Sequence, residues 1–316
     1  MTNEKQPILS ICIPTYNRAE VLRDTLEHYT SCEEFDDDVE IVISDNASTD
    51  NTRDICERFI SKYPNIRYYR NEENIRDVNF LKVLSYGRGD YLKLFNDTVY
   101  LTNVGLRYMK DMLNLHKNES RALFFTLGWT RVNSNEIECA DLNEYIRVVA
   151  LGVTSNNMFG TWRCEWETLP NKERYAQLQL MQVDWTSQLI VQNNGALLCN
   201  KSIIESSKSS ANVFRSSYNF FKVHLDNYYS ILNSYYEQGY ISDETLKEDR
   251  KYFLYYYRKM LCKIAIHRGS NWAETKGTWH YIWKNYKKDG FFYIFLFTAP
   301  FWYVYSVIST RLIKGF

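Results

Sequence analysis

Four groups of polar residues stand directly after predicted β-strands in the first hundred residues. Their hydroxyl, amide and carboxylate groups can hydrogen-bond a polar ligand. Whether they act together depends on a sheet that brings the four strand ends to one place. The groups are Thr15-Tyr16-Asn17-Arg18, Ser44-Asp45-Asn46, Asn71 to Asn74, and Asn96-Asp97-Thr98.

The strands before these groups alternate with segments of helical periodicity. Strands joined by helices form a parallel sheet with right-handed crossovers, and the carboxyl ends of its strands share one edge. Ligands of such sheets bind beyond that edge, so we expect the four polar groups to form one site there. Strands are predicted over 8–13, 39–44, 66–69 and 91–95, and helices over 49–63 and 77–86.

Composition and missing motifs exclude several classes of protein. The chain has 316 residues with 38 basic and 38 acidic side chains, which argues against a nucleic-acid partner. No GxGxxG follows the first strand and no GxxxxGK[ST] occurs, which disfavours a dinucleotide-binding domain and a phosphate-binding P-loop. The seven cysteines form no CxxC pair and are expected to be reduced. The N-terminal apolar stretch is too short for a signal peptide, so a cytosolic chain is expected.

Four motifs in this order carry a resemblance to a known family: residues 8–18 (ILSICIPTYNR), 42–50 (VISDNASTD), 71–80 (NEENIRDVNF) and 89–91 (GDY). The chain resembles the family 2 glycosyltransferases, closely over residues 7–115 and loosely over 116–205. It is most similar to bacterial O-antigen and capsule sugar transferases such as the abequosyltransferases.

The resemblance implies an α/β protein of the GT-A fold, with a mainly parallel sheet flanked by helices and a helical C-terminal extension. Residues 1–205 are expected to form the catalytic domain, divided into a nucleotide-binding half (7–115) and an acceptor half (116–205). A helical extension (206–275) and an aromatic, basic tail (276–316) are expected to follow.

The strand ends are expected to bind a nucleotide-sugar donor. Tyr16 can pack against the base, and Asp45 can accept a hydrogen bond from the base or ribose. Two structural readings stay open: residues 45–48 as an Asx-turn before a helix, and residues 71–79 as turn and cap residues. Arg76 is more consistent with a solvated loop arginine than with a diphosphate ligand. The expected donor-binding residues are Pro14, Thr15, Tyr16, Asn17, Asp45, Asn74, Asp77, Asn79, Asn96 and Asp97.

The expected metal motif departs from the family. GT-A enzymes usually present Asp-x-Asp after the fourth strand, where carboxylates hold Mg²⁺ or Mn²⁺ against the donor diphosphate. Here the segment is Asn96-Asp97-Thr98, which keeps one carboxylate. A weak, substrate-dependent Mg²⁺ or Mn²⁺ site at Asp97 is expected, with metal-independent transfer or lost activity as alternatives.

An inverting transfer needs a base that accepts the proton of the acceptor hydroxyl. Asp184 is the best match, at the start of a helix predicted over 184–192, where it could instead be only an N-cap. Glu165 and Glu167 are the second choice. Trp185 is a further candidate for contact with the sugar.

The C-terminal tail is unusually aromatic and basic. Residues 276–316 hold 14 of the 51 Trp, Tyr and Phe residues, with six Lys or Arg against one Asp. Residues 279–286 have the spacing of an interfacial amphipathic helix, and residues 291–308 carry no charge. Because Pro300 falls within that stretch, an interfacial or re-entrant hairpin is expected at a membrane surface, with a packed helix pair as the alternative.

These observations predict an inverting hexosyl- or deoxyhexosyltransferase that moves a sugar from a nucleotide donor to a lipid-linked saccharide. It would act in bacterial surface polysaccharide synthesis, on the cytoplasmic face of the inner membrane. A catalytically impaired GT-A-like module that binds nucleotide or glycan is an alternative, and a nucleotidyltransferase is a weaker one.

Overall fold

The structure is a computed structural model that describes residues 5–209, 218–267 and 274–314. The chain divides into two compact units, residues 1–213 and residues 214–316. Each unit has its own buried apolar core among the described residues.

The first unit is built around a five-stranded sheet. Its strand order is β3-β2-β1-β4-β8, in which β8 is antiparallel to β4 and the other pairs are parallel. A three-stranded sheet (β6-β9-β7) and a two-stranded ribbon (β10-β5) complete the strands described in this unit. The strands are β1 (Leu9–Thr15), β2 (Val39–Asp45), β3 (Ile66–Arg70), β4 (Tyr91–Leu94), β5 (Val99–Leu101), β6 (Ala122–Phe125), β7 (Glu136–Cys139), β8 (Gly160–Trp162), β9 (Ala196–Cys199) and β10 (Ile204–Ser206).

Helices connect the parallel strands, as the alternating pattern predicted. The buried faces of β1 and β2 pack with apolar residues of the first and fourth helices in one continuous core, which includes Leu22, Leu26, Leu106 and Met109. The predicted α/β class with a mainly parallel sheet is therefore confirmed. The helices of this unit are α1 (Ala19–Ser31), α2 (Thr52–Ile60), α3 (Val78–Ser85), α4 (Asn103–His116), α5 (Leu142–Val149), α6 (Arg163–Thr168) and α7 (Met181–Gln192).

The second unit is helical in its described residues, which confirms the predicted helical C-terminal region. A π-helical segment (Lys222–Asn227) leads directly into the first of five α-helices. Residues 210–217, 268–273 and 315–316, which belong to the expected extension and tail, lie outside the described part of the chain. The helices are α8 (Tyr228–Glu237), α9 (Asp243–Tyr256), α10 (Arg258–His267), α11 (Thr278–Tyr286) and α12 (Gly290–Lys314).

The hairpin expected around Pro300 is wrong, because α12 runs through this proline as one helix of 25 residues. Proline removes one backbone N–H donor and disturbs the preceding helical turn. These effects can kink a helix without ending it when one side of the helix packs against the protein. Here α12 buries Phe292, Phe295 and Ala299 in the second unit. Among the described residues, no helix combines the length and apolar character that crossing a membrane requires.

Candidate functional site

The parallel register brings the carboxyl ends of the central strands to one edge of the sheet. Thr15 at the end of β1 pairs with Asp45 at the end of β2, which pairs with Arg70 at the end of β3. On the other side of β1, Cys12 pairs with Leu94, the last residue of β4. The four polar groups that follow these strands therefore lie along a single edge, as the alternating pattern predicted.

Three non-glycine residues just beyond these strand ends have positive φ angles. They are Asn17 after β1 (51°), Ala47 after β2 (62°) and Arg76 after β3 (54°). Such conformations are unfavourable for side chains with a Cβ and concentrate where a backbone is held for function. The loops at this edge are thus held in specific shapes by their surroundings.

The loops after β1 and β2 are tied to each other. The Asn17 backbone N–H donates to Ser48 Oγ (2.8 Å), and Asn17 Oδ1 accepts from the Thr49 backbone N–H (2.7 Å). Asp50 accepts from the backbone N–H groups of Ala19 and Thr52, both at 3.0 Å, at the starts of α1 and α2. The Thr52 hydroxyl also donates to Asp50 Oδ1, and together these hydrogen bonds lower the pKa of Asp50, although its burial opposes the shift. The segment 46–50 therefore positions the β1 loop.

Asp45 is fully buried, with both carboxylate oxygens engaged. Oδ1 accepts from the Ser48 backbone N–H (2.9 Å), which is the Asx-turn left open above, and Oδ2 accepts from the Tyr68 hydroxyl (2.7 Å). Arg70 Nε lies 3.5 Å from Oδ2. A carboxylate offers about four lone-pair sites, so one site stays unused, but because Asp45 is fully buried a ligand can reach it only after a neighbouring side chain moves.

A network of side-chain amides fixes the loop between β3 and α3. Asn46 Nδ2 donates to Asn74 Oδ1 (2.8 Å), and Asn71 Nδ2 donates to Asn46 Oδ1 (3.1 Å) and Asn79 Oδ1 (2.9 Å). Asn79 also accepts from Ser44 Oγ (2.6 Å) and donates to the Ser44 carbonyl (2.8 Å). Asn79 is thus buried and engaged inside the protein, whereas Asn74 lies at the exposed end of the network.

Other side chains at this edge are available to a ligand. Tyr16 is 43% exposed directly after β1, and the half-buried side chains of Asn96 and Asp77 make no hydrogen bond with the described residues. Burial raises the pKa of Asp77 to about 6, although the neighbouring Arg76 opposes the rise. An unpaired carboxyl with a shifted pKa at a sheet edge is typical of a functional site.

Asp97 is buried beneath the β1 loop and paired on both oxygens. Arg18 Nη1 lies 2.7 Å from Oδ1, and Thr15 Oγ1 donates to Oδ2 at 2.9 Å. Burial raises the pKa of Asp97, and the Arg18 guanidinium and the Thr15 hydrogen bond oppose that rise. Pro14, also buried, precedes Thr15 within β1.

This arrangement does not fit a resident divalent cation. Such an ion needs carboxylate oxygens open to it, and Asp97 is 2% exposed, with Oδ1 against the Arg18 guanidinium and Oδ2 against the Thr15 hydroxyl. Across the described residues there is no cluster of three or more His, Cys, Asp or Glu side chains suited to a metal. The positive charge next to Asp97 is instead the guanidinium of Arg18.

Asp184, the expected base, lies in the first turn of α7 and is buried. The helix begins at Met181 with Leu180 at the N-cap, so the alternative role of Asp184 as an N-cap is wrong. Its carboxylate is paired with Arg174 and accepts from Gln188 Nε2 (2.8 Å). For Asp184 to accept a proton from a ligand, Arg174 must first move away.

The second-choice carboxylates have structural partners. Glu165 accepts from Thr161 Oγ1 (2.9 Å) and the Trp162 backbone N–H (3.3 Å) at the start of α6, and burial raises its pKa. Glu167 is exposed and forms an ion pair with Arg163 at 2.9 Å. Trp185 is fully buried, with its ring centroid 5.0 Å from that of Trp166, so its expected contact with a sugar is not supported.

Two residues of this edge received no role from the sequence. Arg18 stands in the first polar group, and its position after β1 was a sufficient signal. Asn157 gave no signal, because it reaches the edge from a distant segment. Its Oδ1 accepts from the Asn96 backbone N–H at 2.7 Å, so it fixes the backbone after β4.

A mainly parallel sheet whose carboxyl edge presents aromatic, amide and charged side chains has the features of α/β domains that bind polar ligands at that edge. The family model "Glycosyl transferase family 2" matches residues 10–101, which hold β1 to β5. Residues 10–101 are thus similar to glycosyl transferase family 2, which confirms the resemblance carried by the four motifs.

Curated relatives match a third or more of the chain. "Abequosyltransferase RfbV" of Salmonella typhimurium is 39% identical over 109 residues, which cover 34% of this chain and 33% of that protein. "Uncharacterized glycosyltransferase YfnE" of Bacillus subtilis is 32% identical over 127 residues, covering 40% and 31% of the two chains. The match thus spans about a third of the length of these relatives.

Solved structures of glycosyltransferases are similar at low sequence identity. S. aureus TarS 1-349 has a TM-score of 0.48 at 15% identity, covering 71% of this chain and 65% of that one. The mannosyltransferase PcManGT from Pyrobaculum calidifontis, solved with GDP-Man and Mn²⁺, has a TM-score of 0.47 at 12% identity, covering 64% and 57%.

Proposed function

We propose that this protein is an inverting glycosyltransferase that moves a hexosyl or deoxyhexosyl group from a nucleotide-sugar donor to a lipid-linked saccharide. The observation that carries the proposal is the set of reachable polar side chains at the carboxyl edge of the family 2 segment. The printed name of RfbV, an abequosyltransferase, supports sugar transfer, and the proposal places this transfer in bacterial surface polysaccharide synthesis, of O-antigen or capsule.

The donor lies along the carboxyl edge in this proposal. Tyr16 packs against the base, and Asp45 accepts a hydrogen bond from the base or ribose. The amides of Asn74 and Asn96 and the carboxyl of Asp77 contact the donor directly. The remaining residues, Pro14, Thr15, Asn17, Asn79 and Asp97, shape the backbone and the partners around it.

The proposed reaction is a single displacement at the anomeric carbon. The acceptor hydroxyl oxygen forms the new bond, while the bond to the diphosphate breaks and its electron pair passes to the phosphate oxygen. Asp184 accepts the hydroxyl proton after Arg174 moves away from its carboxylate, and the configuration at the anomeric carbon inverts.

Residues 1–205 form the catalytic domain in this proposal, 206–275 the helical extension and 276–316 a segment that attaches to the cytoplasmic face of the inner membrane. Trp279 and Trp283 are exposed on α11, and α12 exposes Phe297 (73%) and Phe301 (69%). Lys287 and Lys288 between these helices are also exposed. Exposed aromatic and basic side chains together suit an anionic lipid surface, where lipid-linked acceptors reside.

The experiment is an assay of the full chain with UDP-, GDP-, CDP- and dTDP-sugars and a polyprenyl-diphosphate saccharide. We expect release of one nucleoside diphosphate together with sugar transfer, and a loss of roughly 10²- to 10⁴-fold in Asp184→Asn with donor binding retained. Glu57→Gln, on the exposed face of α2, is the control and should keep full turnover.

The outcomes separate the alternatives. Binding of a nucleotide sugar without release of nucleoside diphosphate would indicate a binding module. Release of pyrophosphate from a nucleoside triphosphate and a sugar phosphate would indicate a nucleotidyltransferase. Near-normal transfer in Asp184→Asn would remove this residue from the mechanism and leave the proposed reaction in place.

A further inference from the structure

We infer that Arg18, held in place by Asp97, supplies the positive charge that binds the donor diphosphate, in the position where related enzymes hold a divalent cation. The inference rests on the proposed function. It concerns how the leaving group is bound, and it makes nucleotide binding independent of added metal.

The first argument is the state of the Asp97 carboxylate. Asp97 is 2% exposed, its Oδ1 is 2.7 Å from Arg18 Nη1, and its Oδ2 accepts from Thr15 Oγ1 at 2.9 Å. A cation bound to Oδ1 at about 2.1 Å would be placed against the guanidinium, and two positive charges would share one oxygen. Arg18 and a metal therefore compete for the same place, and Arg18 holds it.

The second argument is the unused capacity of Arg18. The Asp97 carboxylate is the one partner of this guanidinium among the described residues, reached through Nη1, and the side chain is 30% exposed. A guanidinium carries five N–H donors in a planar fork that suits two phosphate oxygens. One edge can thus stay on Asp97 while the remaining donors bind a diphosphate.

The third argument is position. Arg18 is the N-cap residue of α1 and follows Tyr16 and the positive-φ residue Asn17 in the β1 loop. The Ala19 backbone N–H at the start of α1 already donates to Asp50 at 3.0 Å, so the positive charge that this loop offers is the guanidinium. The same loop therefore carries both the exposed Tyr16 ring and the guanidinium that the inference assigns to the donor.

Arg18 acts on the bond-breaking step as well as on binding. As the bond between the anomeric carbon and the diphosphate breaks, its electron pair adds negative charge to the phosphate oxygen. A guanidinium already fixed by a buried carboxylate stabilises that charge without reorganising. Asp97 is then a positioning residue, since it contacts Arg18 rather than the donor.

The test measures binding of UDP, GDP, CDP and dTDP to the full chain by calorimetry, in EDTA and then in MgCl₂ or MnCl₂. We expect one nucleotide to bind with the same Kd, within about twofold, in all three buffers. Arg18→Gln should weaken this binding roughly 10- to 100-fold, the loss expected for charge-assisted hydrogen bonds. Arg23→Gln, on the outer face of α1, is the control and should bind normally.

Asp97→Asn separates the two roles, because it removes the carboxylate and keeps a side chain of the same shape. If Asp97 only positions Arg18, Asp97→Asn should still bind the nucleotide without metal, with an affinity reduced by less than about tenfold. Should Arg18→Gln fail to fold, Arg18→Lys keeps the positive charge and should retain binding in EDTA.

Two results would overturn the inference. The first is nucleotide binding that requires Mg²⁺ or Mn²⁺ in the wild type, is abolished in Asp97→Asn and survives in Arg18→Gln. This result would make Asp97 a metal ligand and leave the proposed function standing. Absence of binding by all four nucleotides in every buffer would overturn both the inference and the proposed function.

Discussion

Single residues at the carboxyl edge divide into those that the protein engages and those that it leaves to a ligand. Asn79 and Asp97 are buried with protein partners, whereas Tyr16 and Asp77 are accessible and make no hydrogen bond with the described residues. The division matters for mutagenesis, because loss of an engaged residue acts through the fold. Loss of a residue without protein partners acts on ligand binding, and acts on stability only through the cost of its own burial.

Asp77 provides a prediction for stability against pH. Burial raises its pKa from 3.8 to about 6, so between these values the folded chain binds more protons than the unfolded chain. The free energy of unfolding therefore falls as pH rises through this range. Asp77→Asn should be more stable than the wild type by about 1–3 kcal/mol at pH 8, with no difference near pH 4.

Urea denaturation of both proteins at pH 4, 6 and 8 measures this effect. Asp111→Asn, in the exposed part of α4, is the control and should show no pH-dependent difference. Equal stability of Asp77→Asn and the wild type at pH 8 would show that the Asp77 carboxyl has an ordinary pKa.

Residue types at this edge could be predicted from sequence, whereas their partners could not. Motif order and strand ends identified Asp45 and Asn79 as polar residues of the edge. The hydrogen bonds of Asn79 join it to Ser44, 35 residues earlier, and Arg174 covers Asp184 from a separate loop. Pairings between such distant positions leave no periodic signal in one sequence.

At the scale of elements, the amide network holds α3 and its preceding loop against β2. Asn79→Ala removes the hydrogen bonds to Ser44 and Asn71 and leaves buried polar groups without partners. We expect a loss of about 2–4 kcal/mol in the free energy of unfolding. Asn114→Ala, on the exposed side of α4, should change stability by less than about 0.5 kcal/mol.

Chemical denaturation followed by circular dichroism measures both variants. A change of less than about 1 kcal/mol in Asn79→Ala would mean that the network contributes little to holding the loop. Nucleotide binding by the surviving folded protein then reports whether the loop shape matters to the site.

Helices and strands with a strong apolar periodicity in the sequence could be predicted, and those without one could not. The strands β1 to β4 and the helices α2 and α3 appear where apolar spacing placed them. The start of α7 was missed because Leu180, its N-cap residue, offers no capping side chain. The continuation of α12 past Pro300 could not be predicted from the local properties of proline, because it depends on the packing of the helix face.

At the scale of the whole molecule, exposed aromatic residues of the second unit suit a lipid surface. Phe297 and Phe301 are 73% and 69% exposed on α12, so replacing both with Ser leaves the core intact. We expect this double variant to lose at least about tenfold in binding to phosphatidylglycerol vesicles, since each buried aromatic side chain contributes about 1.5–3 kcal/mol.

Vesicle co-sedimentation of the full chain measures this binding at several salt concentrations. Tyr236→Ser, which changes a 43% exposed aromatic residue of α8, is the control and should bind vesicles normally. Unchanged vesicle binding in the double variant would show that this face of α12 does not contact lipid.

The most direct measurement of the central claim is amide hydrogen exchange of the full chain, with and without the nucleotide sugar that is turned over. Binding at the carboxyl edge predicts slower exchange in residues 15–18, 45–49 and 74–77, and no change in α4. Protection elsewhere, with these three loops unaffected, would contradict a donor site at the carboxyl edge of the sheet.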